Sequence, residues 1–180
     1  MKKMQYSFSL SSPAQPPAVA PAPAAEHAGH ADELVRYDYN EFQLALPADW
    51  RQDLRSEDNA FAWWSEAEHA AVNISVDFYE VPQGKWQTFA EHILGARHEA
   101  LESGAAGQVD VFLRSIRPYS GGGALEISYA ASVPHQTYLY LGYVGSRKVF
   151  NFSLTCEGDR RAAVDLFDQF MATRLRVKVP

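Results

Sequence analysis

Between residues 42 and 50 the chain runs Phe42, Leu44, Leu46, Pro47 and Trp50, with Gln43 and Ala45 interleaved, so large apolar side chains recur at every second position until a proline interrupts them. Successive side chains on a strand point to opposite faces, and this spacing predicts a half-buried strand over about residues 41–46. Pro47 ends it by removing a ladder donor. The same period returns in Ile74, Val76 and Phe78, set against Asn73, Ser75 and Asp77. A chain that repeats this pattern must build a sheet and then cover its apolar face.

Further strands are expected at about 60–65, 109–117, 124–133, 137–144 and 148–156. Ser120 with glycines 121–123, and Gly145 with Ser146, make connections short enough that the sheet must be mostly antiparallel. Twice the period changes. Trp86, Phe89, Ala90, Ile93, Leu94, Ala100 and Leu101 fall on one helical stripe that Gly104 stops. Ala163, Leu166, Phe167, Phe170 and Met171 form a second stripe, with Asp159 placed to accept hydrogen bonds from its first amides. A short turn is expected near residues 32–36, and Leu175, Val177 and Val179 alternate at the end. The expected class is α+β: a mostly antiparallel, twisted sheet of about six strands flanked by two main helices.

The first 31 residues are dominated by Pro, Ala, Ser and Gly, a composition that cannot repay the entropy of ordering. The expected organisation is therefore a disordered Pro/Ala-rich tail over 1–31 and one globular domain over 32–180. Net charge is −6, and setting aside Lys2, Lys3 and Glu26 leaves 14 basic and 21 acidic residues, a net −7. Dispersed basic residues on an acidic chain argue against a nucleic-acid partner. No run approaches the roughly 20 apolar residues of a membrane-spanning helix. Lys2 and Lys3 look like the start of an export signal, but Tyr6, Phe8 and Leu10 alternate with serines where a continuous apolar stretch is required. The expected location is the cytoplasm, with the periplasm as the alternative if the start is misplaced. Cys156 stands alone, so it makes no internal disulfide and reads as a small core residue.

The candidate chemistry is sparse. Gly121, Gly122 and Gly123 join two strands, whereas a phosphate cradle leads into a helix. His27 and His30, beside Glu26, Asp32 and Glu33, would have to order a flexible tail to bind a metal, so no metal and no cofactor are expected. His92 and His98 are six residues apart on a helix and point about 120° apart. His135 follows Pro134 in a loop where active-site residues are often carried, with Ser132 nearby, but no nucleophile elbow surrounds them. The chain is expected to be non-catalytic, a hydrolase-type activity around His135 being the alternative.

Phe, Trp and Tyr total 23 residues, and their placement raises a choice. Trp63 and Trp64 must face opposite ways, as must Tyr143 and the pair Tyr138 and Tyr140. If helices cover both sheet faces, all of these are core. If one face is open, Asn73, Ser75, Ser128, Ala130, Ser132, Asn151 and Ser153, rimmed by aromatics, make a shallow groove for a peptide or helix. The candidate partner-binding residues are Trp64, Tyr138, Tyr140, Tyr143, His135, Ser128 and Ser132.

The opening strand with Pro47 and Trp50, the β-rich order with one helix in the middle and one near the end, and the strand Phe150, Phe152, Leu154 leading into the helix of Phe167 and Phe170 resemble the PsbP-like family over about residues 38–178. The resemblance implies an α/β/α sandwich of the small bacterial PsbP/DcrB-like kind. It carries over no catalytic residue. Members include a photosystem assembly factor, a nuclear transport factor that binds a small GTPase, and adaptors of the EagR kind that shield apolar helices of type VI secretion effectors. The resemblance implies a binding module for a protein or apolar peptide, as adaptor or chaperone, with a homodimer as a further possibility. An exported envelope or small-ligand-binding protein and a toxin-neutralising immunity protein are the alternatives.

Overall fold

A computed structural model describes residues 34–53, 59–105 and 108–178. The expected tail over 1–31, with His27 and His30, and Val179 lie outside the described residues. In chain order the elements are β1 (Leu34–Asp38), β2 (Phe42–Pro47), β3 (Arg51–Asp53), β4 (Ala60–Ser65), β5 (Ala70–Phe78), α1 (Trp86–Gly104), β6 (Asp110–Pro118), β7 (Ala124–Val133), β8 (Gln136–Gly145), β9 (Lys148–Glu157), α2 (Arg160–Gln169) and β10 (Leu175–Val177).

The strands form two antiparallel sheets. The larger has seven strands in the order β3-β4-β5-β9-β8-β7-β6, and the smaller has three in the order β1-β2-β10. The sheet expected from about six strands is thus larger, and a second sheet lies beside it. β3, three residues long, is too short to show a period, whereas β10 takes up the alternation of Leu175 and Val177. Of the turn expected near residues 32–36, residues 32 and 33 lie outside the described residues and the rest belongs to the exposed edge strand β1, where Leu34 pairs with Pro47 and Asp38 with Gln43. Its residues Leu-Val-Arg-Tyr-Asp are mostly exposed and show no clean alternation, because of the five only Tyr37 packs against the core.

α1 lies on one face of the large sheet, where Ala90, Ile93, Leu94 and Leu101 pack on Ile127, Tyr129, Tyr140 and Val144. The small sheet and α2 cover the other face, burying Phe42, Leu44, Trp63, Ile74, Phe152 and Phe170. Burial of each such side chain stabilises the fold by about 1.5–3 kcal/mol. Both faces are therefore covered in part, by different means. Asp159 caps α2 as expected, its carboxylate accepting from the Ala162 N–H at 3.3 Å. After Gln169 the helix widens into an i→i+5 turn over Phe170–Arg174, which carries the chain into β10. Phe78 sits at the last position of β5 and is 61% exposed, although its alternation groups it with the buried Ile74 and Val76.

Candidate functional site

The residues singled out above divide between the two faces of the large sheet, and the ladder register is the reason. Ser75 pairs with Asn151 and Asn73 with Ser153, so these four share the α1 face with Tyr138 and Tyr140. Ser128 pairs with Leu141, Ser132 with Thr137 and Glu126 with Tyr143, on the face turned towards α2. The small and polar set read as one groove is therefore two sets on opposite sides, and the correction is one of parity across strands that are distant in the chain. Trp64, Tyr138 and Tyr140 likewise do not meet Tyr143, Ser128 and Ser132. His135 is exposed at the β7–β8 hairpin with φ 65°, its carbonyl accepting from the Gly158 N–H at 3.2 Å. Ser132 accepts from Arg160 Nε at 3.0 Å, so it is tied to the start of α2.

On the α1 side, Arg97 organises a polar network. It occupies the buried helical face between Ile93 and Leu101, and its guanidinium lies 3.7 Å from the centre of the Tyr140 ring. Its Nη1 donates to the Tyr138 hydroxyl and its Nη2 to Asn151 Oδ1, both at 2.9 Å. The Tyr140 hydroxyl donates to the same Oδ1 at 2.8 Å, and Asn151 Nδ2 donates to Ser75 Oγ at 3.1 Å and Asp77 Oδ2 at 2.8 Å. Burial pushes the Tyr140 hydroxyl up to about 12 and holds the Asp77 carboxyl above its ordinary range. Arg97 Nε is buried without an acceptor among the described residues. Each hydrogen bond of such a network contributes about 1 kcal/mol net, so the arrangement fastens α1 to β5, β8 and β9. Beyond α1 this face continues as a strip with exposed Asn73 and half-buried Trp64, over which the Arg51 guanidinium lies at 5.2 Å.

The opposite face holds a groove of about 410 Å³ between β6–β8 and the segment from α2 to β10. One wall is apolar, formed by Leu141, Phe167, Met171, Leu175 and Val177. The other end is polar, formed by Arg117, Tyr119, Glu126, Ser128 and Tyr143. The space exists because β7 sends Glu126 and Ser128 to this face, where filling side chains would otherwise stand, and because β10 pairs with β2 and not with the large sheet. The Glu126 side chain is 13% exposed and accepts from Arg117 Nε at 2.8 Å and from Arg117 Nη2, whereas the Arg117 side chain is 68% exposed. Tyr143 hydrogen-bonds to Glu126, and burial together with that carboxylate's charge pushes its hydroxyl up to about 12. The Tyr119 and Tyr143 rings meet edge-on at 5.2 Å.

Of the sequence candidates, Tyr143 and Ser128 line this groove. Arg117, Glu126, Phe167 and Met171 were not singled out as site residues. Phe167 and Met171 did appear in the apolar stripe of the second helix, where they read as core. Arg97 carried a usable signal too, a lone charge on the stripe of Ile93, Leu94 and Leu101. Among the described residues no group of three or more His, Cys, Asp and Glu side chains could hold a metal ion, and no helix is long and apolar enough to cross a membrane.

No family model and no curated protein matches the chain. Among solved structures it is similar to cyanobacterial PsbP from Synechocystis sp. PCC 6803, with a TM-score of 0.53 and 17% identity over 88% of this chain and 99% of that one. It also matches a Pseudomonas aeruginosa protein of unknown function described as a putative regulator, with a TM-score of 0.42 and 17% identity over 82% of this chain and 98% of that one. The first of these similarities identifies the fold as a PsbP-like α+β sandwich.

Proposed function

We propose that this chain is a non-catalytic binding module, and that the groove between β6–β8 and the α2–β10 segment receives an apolar segment of a partner protein. The observation that carries this reading is the wall on which partly buried Phe167, Met171 and Val177 stand around the buried Leu141 and Leu175, facing an open volume of about 410 Å³. A partly buried apolar wall facing fixed polar groups, here Arg117, Glu126 and Tyr143, is a common make-up of a recognition site. The titratable groups in the groove favour binding over turnover. Glu126 is paired with Arg117, and the Tyr143 hydroxyl, pushed up to about 12, is not poised to move a proton near pH 7.

An adaptor or chaperone that shields such a segment is the form of this function we favour, by analogy with the binding use of the fold. A volume of about 410 Å³ also falls in the range of roughly 300–1,000 Å³ that small ligands occupy, which keeps a small-molecule carrier as the second reading. The deciding experiment is affinity capture with the unaltered chain, Met171→Asn in the groove and Trp64→Ala on the opposite face, each first shown to unfold at an unchanged denaturant midpoint. A protein captured by the unaltered chain and by Trp64→Ala but lost by Met171→Asn supports the reading. Retention by Met171→Asn, or loss in Trp64→Ala alone, overturns it, and capture of no protein transfers the groove to the small-molecule reading.

A further inference from the structure

We infer that the occupant of this groove is a cationic amphipathic peptide segment: a lysine or arginine side chain of the partner seats on Glu126 in place of Arg117, while neighbouring apolar side chains lie along Leu141, Phe167 and Met171. The inference rests on the groove being the binding site and adds the chemistry of what enters it.

The argument begins with an unequal ion pair. Glu126 is 13% exposed and Arg117 is 68% exposed, so the carboxylate is fixed in the groove while its partner reaches in from the edge strand β6 through water. A mostly exposed arginine is resolvated when it leaves, so its own departure costs little. A carboxylate withdrawn from water cannot be left alone without a much larger cost. Tyr143 supplies Glu126 with a hydrogen bond but no charge, so a displacing group that is itself cationic replaces what Arg117 provides. Arg117 acts as a stand-in that keeps Glu126 paired until a partner's cation arrives.

The surroundings select the same charge. Tyr119 and Tyr143 meet edge-on at 5.2 Å beside the carboxylate, and aromatic faces attract ammonium and guanidinium groups. Tyr143 stays neutral well above physiological pH, so it adds a hydroxyl and no competing charge. Past Tyr143 and Val177, the lysines in the adjoining crevice are already committed, Lys148 to Glu41 and Lys178 to Asp38. The chain's net charge of −6 favours the approach of a basic segment.

The test uses the full chain and three fluorescein-labelled, end-capped synthetic peptides of equal length, alternating Leu with Lys, with Glu or with Ser, read by fluorescence anisotropy at physiological salt. The Leu/Lys peptide should bind most tightly. Glu126→Gln should weaken it by about tenfold or more, and Arg117→Ala should tighten it several-fold by vacating the carboxylate. Glu66→Gln, an exposed carboxylate in the β4–β5 turn, should leave it unchanged. Tighter binding of the Leu/Glu peptide with loss in Arg117→Ala would overturn the inference in favour of an anionic occupant. Equal weakening by Glu126→Gln and Glu66→Gln would reduce it to attraction by net charge. If Leu/Ser binds as well as Leu/Lys and Met171→Asn weakens both, the groove stands and its cation preference falls. If Met171→Asn changes no peptide's affinity, the groove itself is not the site.

Discussion

Replacing Gly142 by alanine tests how closely the α1 face is packed around its polar network. Gly142 lies within β8 in ordinary strand conformation, so the backbone accepts alanine and the question is one of space. A methyl there would meet the Tyr140 hydroxyl, with Tyr140 Cζ at 2.8 Å and Ile127 Cγ1 at 2.9 Å. Tyr140 is 1% exposed and lies under the Arg97 guanidinium, so its ring cannot move aside without giving up the bond to Asn151. Overpacking costs about 1–3 kcal/mol. Loss of the buried hydrogen bond costs about 1 kcal/mol more. Alanine returns at most about 1 kcal/mol by restricting the unfolded chain. The expected net loss is about 1–4 kcal/mol. Tyr140→Phe alone should cost about 1 kcal/mol, because Asn151 Oδ1 keeps its bond from Arg97. In the double variant the hydroxyl is absent and the methyl has more room, so the combined loss should fall short of the sum by about 1–2 kcal/mol. Urea unfolding followed by tryptophan fluorescence measures all three, provided the denaturant slopes agree. A Gly142→Ala loss below about 0.5 kcal/mol, or single losses that add within about 0.5 kcal/mol, would refute the geometry.

Three further outcomes follow from single groups. Burial holds the Asp77 carboxyl above its ordinary value of 3.8, against the opposing pull of Asn151 and Arg97, so the folded chain keeps a proton that the unfolded chain has released and stability falls as pH rises through the folded value. Asp77→Asn removes that titration, and its stability relative to the unaltered chain should rise across the same window; a difference that is flat with pH would contradict it. Cys156 is 4% exposed and its thiol is pushed up to about 12 by burial, so alkylation near neutral pH should proceed only as fast as the chain opens, and the fast labelling typical of an exposed thiol would count against this. Asp159→Ala should cost about 1 kcal/mol by leaving the Ala162 amide without its cap, with no loss in urea unfolding as the contrary result.

Most of the fold was readable because its signals are local. Alternation in Ala70–Phe78 and Ala60–Ser65, and the stripe through Ile93 and Leu101, each depend on neighbours within one element. The parity arguments for Trp63 against Trp64, and for Tyr143 against Tyr138 and Tyr140, depend only on strand geometry. Strand order lies outside such reasoning. β9 enters between β5 and β8, and this pairing of segments some 75 residues apart puts Asn151 beside Ser75 and within reach of Arg97. The period of two says that Asn151 and Phe152 face opposite ways, but not which of them meets α1 and which meets α2.

The groove was obscure for a related reason, and one signal for it was present. Its lining comes from β6, β7, β8, α2 and β10, so no stretch of sequence contains it. Coverage decides it, and coverage depends on where α2 stops and what β10 pairs with. The stripe Ala163, Leu166, Phe167, Phe170 and Met171 is nevertheless not sealed evenly: Ala163 and Phe170 are buried, while Leu166, Phe167 and Met171 pack against the core and keep part of their surface in solvent. The wider turn at Phe170–Arg174 departs from the 3.6-residue period, so Met171 is displaced from the line that the stripe predicts. The helix therefore ends with Phe170 in the core and Met171 on the groove wall. The partly covered end of the stripe stands beside a carboxylate paired with a mostly exposed arginine, which is where apolar contact and charge recognition can be combined in one site.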